Sequence, residues 1–167
     1  MKLKIPFLLL AVALLAVGPA RADDKTRPAD DKPELHLTIV EPVGANGNAF
    51  TDFDRLDLAF QYVAQQRKWP VKIAAERLAG GSPDYDPEVR ITLQSVRLDP
   101  GNDYVFRAWT TLILGGKKTD FGIVTYHYSA RLGQNQEDRY QEIFHGGAAA
   151  IADKIEPLLF PDLKPKN

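Results

Sequence analysis

Four groups of residues in this 167-residue chain have the types and spacing to do chemistry. The first is GGKKT, Gly115 to Thr119, which ends like a phosphate cradle and runs into Asp120-Phe121-Gly122, a tripeptide that protein kinases use. A phosphate loop needs G-x-x-x-x-G-K-[ST] between a strand and a helix, so that backbone amides converge on the phosphate. Here the first glycine is missing at that spacing and an alternating run, the mark of a strand, follows. The kinase tripeptide works only beside a catalytic loop and a strand lysine, and the sequence offers neither. The stretch therefore reads as a polar six-residue hairpin loop, GGKKTD, whose glycines accept positive φ.

The second group is His36, His127 and His145, the only three histidines. None has the i, i+4 spacing of a helical zinc pair, and no neighbouring sequence completes a triad. They read as structural or exposed, His127 being notable for sitting between Tyr126 and Tyr128. The third is Asp84, Asp86 and Glu88, three carboxylates at alternate positions in SPDYDPE. Calcium favours such oxygen clusters, but the glycine and terminal glutamate of an EF-hand loop are absent, so a solvated acidic turn is expected rather than a metal site. Asp52, Asp54 and Asp57 read as first-turn carboxylates complementing a helix dipole. No catalytic residue, metal ligand or cofactor motif emerges, and the chain is expected not to be an enzyme.

The fourth group is a set of large side chains on the two alternating runs beside the GGKKTD loop. If Leu114 faces Phe121 across that loop, Leu112 pairs with Ile123, Trp109 with Tyr126, and Arg107 lies opposite Tyr128. One face then carries Phe106, Ala108, Leu112, Leu114, Phe121 and Ile123, and suits packing under a helix. The other carries Val105, Arg107, Trp109, Tyr126 and Tyr128. Because arginine is seldom buried unpaired, this second face is expected to point outward. The predicted binding residues are thus Arg107, Trp109, Tyr126 and Tyr128, types that dominate interfaces. The competing expectation makes this face the core, with Arg107 snorkelling at its edge.

The elements that must position these residues follow from periodicity. LHLTIV, Leu35 to Val40, alternates as a strand. Phe53, Leu56, Phe60, Val63, Ala64 and Arg67 repeat at helical spacing, which predicts an amphipathic helix over Asp52 to Lys68, with Thr51 and Asp54 resembling a capping box. Trp69-Pro70 ends it, since the residue before proline is pushed out of the helical region. VKIAAERL predicts a strand. VRITLQSVRL predicts another, whose phase slips at Ser95, as a bulge would produce. After the turn at Pro100-Gly101 come YVFRAWTTLIL and FGIVTYHYSARL. EDRYQEIFHGGAAAIADKIEP closes the pattern as a helix ending at Pro157, with Tyr140, Phe144, Gly147, Ile151 and Ile155 on one stripe. Gly146-Gly147 costs that helix about 1 kcal/mol per glycine against alanine, which implies close backbone approach to a neighbour or a flexible break.

The predicted order is β-α-β-β-β-β-α: an α+β two-layer sandwich, with a mostly antiparallel sheet and both helices on one face. In shape it resembles exported bacterial α/β modules such as the N-terminal domain of TolB-like proteins and lipopolysaccharide-assembly lipoproteins. No motif accompanies that resemblance, so it implies nothing about function.

The ends and the composition bound the rest. Residues 1–22 read as a signal peptide: Lys2 and Lys4, an apolar run from Ile5 to Val17, then Ala20-Arg21-Ala22 for cleavage. The apolar run is short for a bilayer span, which needs about 20 residues, so no transmembrane segment is expected after cleavage. Residues 23–34 read as a flexible, charged leader, 35–160 as a single α+β domain, and 161–167 as a polar tail. Removing Lys2, Lys4 and Arg21 from the 21 cations leaves 18 against 22 acids, a net −4 with His neutral. That sign argues against nucleic acid as a partner. With no cysteine, an exported chain must be stabilised by packing alone.

These readings converge on a bacterial protein, periplasmic or secreted, that binds a protein or an envelope component through an exposed aromatic sheet face and could also associate with itself. A small-ligand carrier with a pocket between helices and sheet is the alternative, and a hydrolase a more distant one.

Overall fold

The computed structural model describes residues 32–41, 52–78, 85–98 and 103–163. The signal peptide, most of the leader, Thr51, Asp84, the Pro100-Gly101 turn and most of the polar tail lie outside these residues. The elements are β1 (Glu34–Val40), α1 (Asp52–Arg67), β2 (Lys72–Arg77), β3 (Glu88–Leu98), β4 (Asp103–Leu114), β5 (Lys117–Ser129) and α2 (Gln136–Leu159). Their order is the predicted one, and the fold is an α+β sandwich of one sheet and one helical layer.

The sheet runs β2-β1-β3-β4-β5. β1 is parallel to both of its neighbours, whereas β3, β4 and β5 form two longer antiparallel ladders. The sheet is thus mixed but mostly antiparallel. Its helix-facing side presents Leu35, Leu37, Ile39, Val89, Ile91, Leu93, Phe106, Ala108 and Leu112, all buried. Strict alternation puts these residues on one side, and the bulge foreseen at Ser95 occurs between Leu93 and Ser95, so Leu93 and Val96 both face the helices.

α1 buries Leu56, Ala59, Phe60, Val63 and Ala64, the i, i+3, i+4, i+7, i+8 stripe of an amphipathic helix. The Glu41 carboxylate accepts the Phe53 N–H at 2.7 Å and satisfies one of its open N-terminal donors. Lys68 ends the helix with φ 56°, and the Trp69 N–H reaches the Ala64 carbonyl at 2.9 Å, a left-handed closing turn. α2 begins at Asn135, whose side chain accepts the Asp138 N–H at 2.8 Å. It does not end at Pro157 as predicted, but continues to Leu159. Proline removes one donor, yet so near the C-terminus the turn still closes through Phe160 N–H to the Glu156 carbonyl at 2.8 Å.

The helices are joined by charge at their solvent edges. Arg67 of α1 donates to Glu156 and Asp153 of α2, each at 2.6 Å. Burial disfavours the guanidinium's charge, but hydrogen bonds to Glu156 and Asp153 outweigh that and raise its pKa. Arg55 donates to Glu137 at 3.0 Å and lies 4.9 Å from the centre of the Tyr140 ring. Such partly exposed pairs set the helix register more than they add stability.

The diglycine of α2 marks the closest approach between the layers. A Cβ on Gly147 would stand 2.6 Å from Cδ1 of Phe106, and one on Gly146 would collide with the Tyr126 ring. Gly147→Ala is therefore expected to destabilise the fold, although alanine favours a helix by about 1 kcal/mol. The urea midpoint should fall, and Phe106→Leu should restore part of the loss in the double variant.

His145, half-buried on α2, stacks on Tyr62 of α1 with centroids 4.6 Å apart. Burial lowers its pKa from 6.5, opposed by Glu142. The folded chain thus favours neutral imidazole, so its contribution is complete above the unfolded pKa and is lost as pH falls below it. Asp52 works in the opposite sense in the carboxylate range: burial raises its pKa, opposed by Arg55 and helped by Glu41. The melting temperature should fall between about pH 7 and 5, and less steeply in His145→Phe, which keeps the stack without the proton.

Candidate functional site

Everything predicted about the site depends on how β4 meets β5. Their turn has two residues, not six: Gly115 at φ 59° and Gly116 at φ 70°, with Leu114 opposite Lys117. Two consecutive positive φ values make the turn whose twist matches its flanking strands. Its amides do converge on an anion, but one from the same chain. Asp86 accepts the Gly115 N–H at 2.8 Å and the Gly116 N–H at 2.7 Å. The GGKKT stretch is thus a hairpin tip held by a carboxylate.

Of the other acidic residues in that loop, Glu88 is fully buried and takes a two-pronged bond from Arg90, at 3.0 and 2.9 Å. The Asp86 and Glu88 carboxylates therefore serve different structural partners.

The ladder then shifts by one residue. Thr111 pairs with Asp120 but Thr110 with Gly122, leaving Phe121 as the extra residue of a bulge. Gly122 has φ 68°, and its N–H donates to Asp120 at 2.9 Å. A one-residue slip turns every later side chain to the other face. Beyond the bulge Phe106 faces Tyr126, Tyr104 faces Tyr128, Arg107 faces Thr125 and Trp109 faces Ile123.

The four predicted binding residues are consequently divided between the two sides of the sheet. Arg107 and Trp109 lie on the side away from the helices, as expected. Tyr126 and Tyr128 lie beneath α2, contrary to expectation: both pack against the core, and the Tyr126 ring fills the space above Gly146. The Tyr128 hydroxyl donates to Gln134 at 2.6 Å. Ile123, expected under the helix, is instead 42% exposed beside Trp109 at 41%. The overlooked signal is Gly122 itself, since an isolated glycine inside a strand often marks a bulge.

The outer side falls into two halves. Over β1 and β2 it is closed: Tyr85 stacks on His36 with centroids 3.8 Å apart, and its hydroxyl donates to Glu76 at 3.1 Å, which raises the phenol's pKa. Over the rest of β3, β4 and β5, Thr92, Trp109, Ile123, Thr125 and His127 are exposed. Ser95 and Thr125 flank Arg107, and Thr92 and Ile123 flank Trp109.

Arg107 is half-buried, and its Nε is buried without a hydrogen-bond partner. Among the described residues it makes no ion pair. The carboxylates on this half are engaged by the chain itself: Asp103 by the Ser129 hydroxyl at 2.6 Å, Asp120 by Gly122, and Glu88 by Arg90. The arrangement can present an aromatic surface, an aliphatic one and a guanidinium fork to a partner. Among the described residues no group of three His, Cys, Asp or Glu could hold a metal ion, and no helix is long and apolar enough to cross a membrane.

No protein-family model matches the chain, and no curated protein matches it. In structure it is similar to an uncharacterised protein, with a TM-score of 0.52 and 11% identity over 76% of this chain and 92% of that one. A hypothetical protein from Chlamydia trachomatis aligns at a TM-score of 0.49 with 9% identity, covering 78% of this chain and 99% of that one. The PelC dodecamer from Paraburkholderia phytofirmans gives 0.43 and 9%, covering 74% and 88%. Likeness at such identity reaches the fold alone: the chain shares its α+β architecture with the first of these proteins.

Proposed function

We propose that the chain is an exported, non-enzymatic binding module of the bacterial cell envelope, acting through the open half of the outer sheet face. One observation carries the reading. Trp109 and Ile123 stand directly opposite each other and exposed, although the helix-facing side already supplies a complete core. Exposed aromatic and arginine side chains are typical interface anchors. The export part rests on the amino-terminal sequence, with its basic start, apolar run and Ala-x-Ala site.

What supports a non-enzymatic role is the use of the titratable groups. Asp86, Glu88, Arg67 and Arg55 are all engaged in structural bonds, and His36 and His145 are stacked on tyrosines. The alternative, a small-ligand carrier with a pocket between helices and sheet, has less support, because α2 comes so close that Phe106 and Tyr126 fill the space above its glycines.

The test separates binding from folding. Trp109→Ala should cost about 1–2 kcal/mol of stability, against about 3–5 kcal/mol for Phe106→Ala in the core. A photo-crosslinking residue at position 109, expressed in the native host, should form a discrete envelope adduct that the same residue at Leu58, exposed on α1, does not form. Equal labelling from both positions, or none from 109, would defeat the reading.

A further inference from the structure

The open face contains one group whose chemistry asks for a particular partner. Arg107 is half-buried on this face and makes no ion pair among the described residues, so its charge is left to a partner from outside to neutralise. Its cross-strand partners are Ser95 and Thr125, and the carboxylates on this side lie farther along the strands: Asp103 is four residues away on β4, Asp120 is opposite Thr111 and Glu88 is opposite Ile113. A guanidinium in this position matches a planar carboxylate or a phosphate, which it can hold with two parallel N–H bonds.

The surroundings narrow the class of molecule that would bring that anion. A protein interface core is more apolar than the surface around it, enriched in aromatic residues, Met and Arg and depleted of serine and of the other charged types. Here the large exposed apolar side chains on the face are Trp109 and Ile123, and their neighbours are Thr92, Ser95, Thr125 and His127. A sugar chain uses such a surface well. The polarised C–H groups of a pyranose suit the negative face of an indole, and ring hydroxyls exchange hydrogen bonds with threonine and serine, which both donate and accept. Resting on the reading of this face as a binding surface, we propose that its ligand is an anionic polysaccharide. Trp109 takes a sugar ring, Arg107 takes the carboxylate or phosphate that the chain carries, and Thr92 and Thr125 flank them.

The experiment is affinity gel electrophoresis of the purified chain through polygalacturonate and through phosphorylated dextran, with neutral dextran and polyglutamate as comparisons. Migration should be retarded by at least one anionic glycan and by neither comparison polymer. Fluorescence of the exposed Trp109 should change on binding, while Trp69, 3% exposed, should not respond. Arg107→Gln should weaken retention about tenfold or more, as expected for loss of a charge-assisted bond. Arg107→Lys should recover only part of it, with both variants melting near the wild type. Absence of retention in both anionic glycans overturns the proposal. So does equal retention in polyglutamate, which would make an acidic polypeptide the ligand. If glycans fail while position 109 still crosslinks in the envelope, this inference falls and the binding face stands. If both fail, the face itself was misread.

Discussion

Two aromatic rings stand where side chains of α2 would otherwise be. Phe106 and Tyr126 project from adjacent strands against Gly147 and Gly146, so the helix can lie on the sheet only because two consecutive residues carry no Cβ. The approach draws Ile143, Phe144, Ala148 and Ile151 into the same buried cluster. It also depends on the bulge at Phe121. With the two-residue turn alone, Tyr126 would lie opposite Val105 and point away from the helices. One extra residue in β5 reverses that, so glycines in α2 and a bulge in β5 are parts of a single arrangement.

The same bulge determines what remains outside. By turning Tyr126 and Tyr128 inward it turns Ile123, Thr125 and His127 outward, beside Trp109 and Arg107 on a strand that did not slip. The outer half-face therefore carries fewer tyrosines than a hairpin without the bulge would present. Over β1 and β2 the corresponding side is closed by Tyr85, whose segment also brings Asp86 to the hairpin tip. The exposed stretch over β4 and β5 thus lies beside a part of the same side that Tyr85 covers.

The sequence made the elements legible wherever burial enforces periodicity. The α1 stripe, the alternation of β1 and β4 and the Ser95 bulge could be read because each is set by residues within a few positions of one another. The diglycine could be read as a close approach, but not against which ring. Hairpin register was not legible, because GGKKTD fits both a six-residue loop and a two-residue turn, and the difference lies in bonds from Asp86, 29 residues earlier in the chain. The face of Tyr126 depended on a bulge whose signal was one glycine. Arg107 and Trp109 could be placed outward because arginine is seldom buried unpaired and alternation along β4 puts Trp109 on the same side. The end of α2 was misjudged because proline stops a helix by a missing bond, and near a C-terminus that bond is of little consequence.

The central claim is that Trp109 faces solvent while the tyrosines predicted to join it support the core. Trp69 is the second of the two tryptophans and is buried against Phe160. Trp69→Phe therefore leaves Trp109 as the single indole reporter, and acrylamide quenching of its emission in the monomeric chain is the direct measurement. The account predicts red-shifted emission that acrylamide quenches efficiently. Blue-shifted emission that resists quenching in a monomer would place Trp109 in a core, and the binding face described above would not exist.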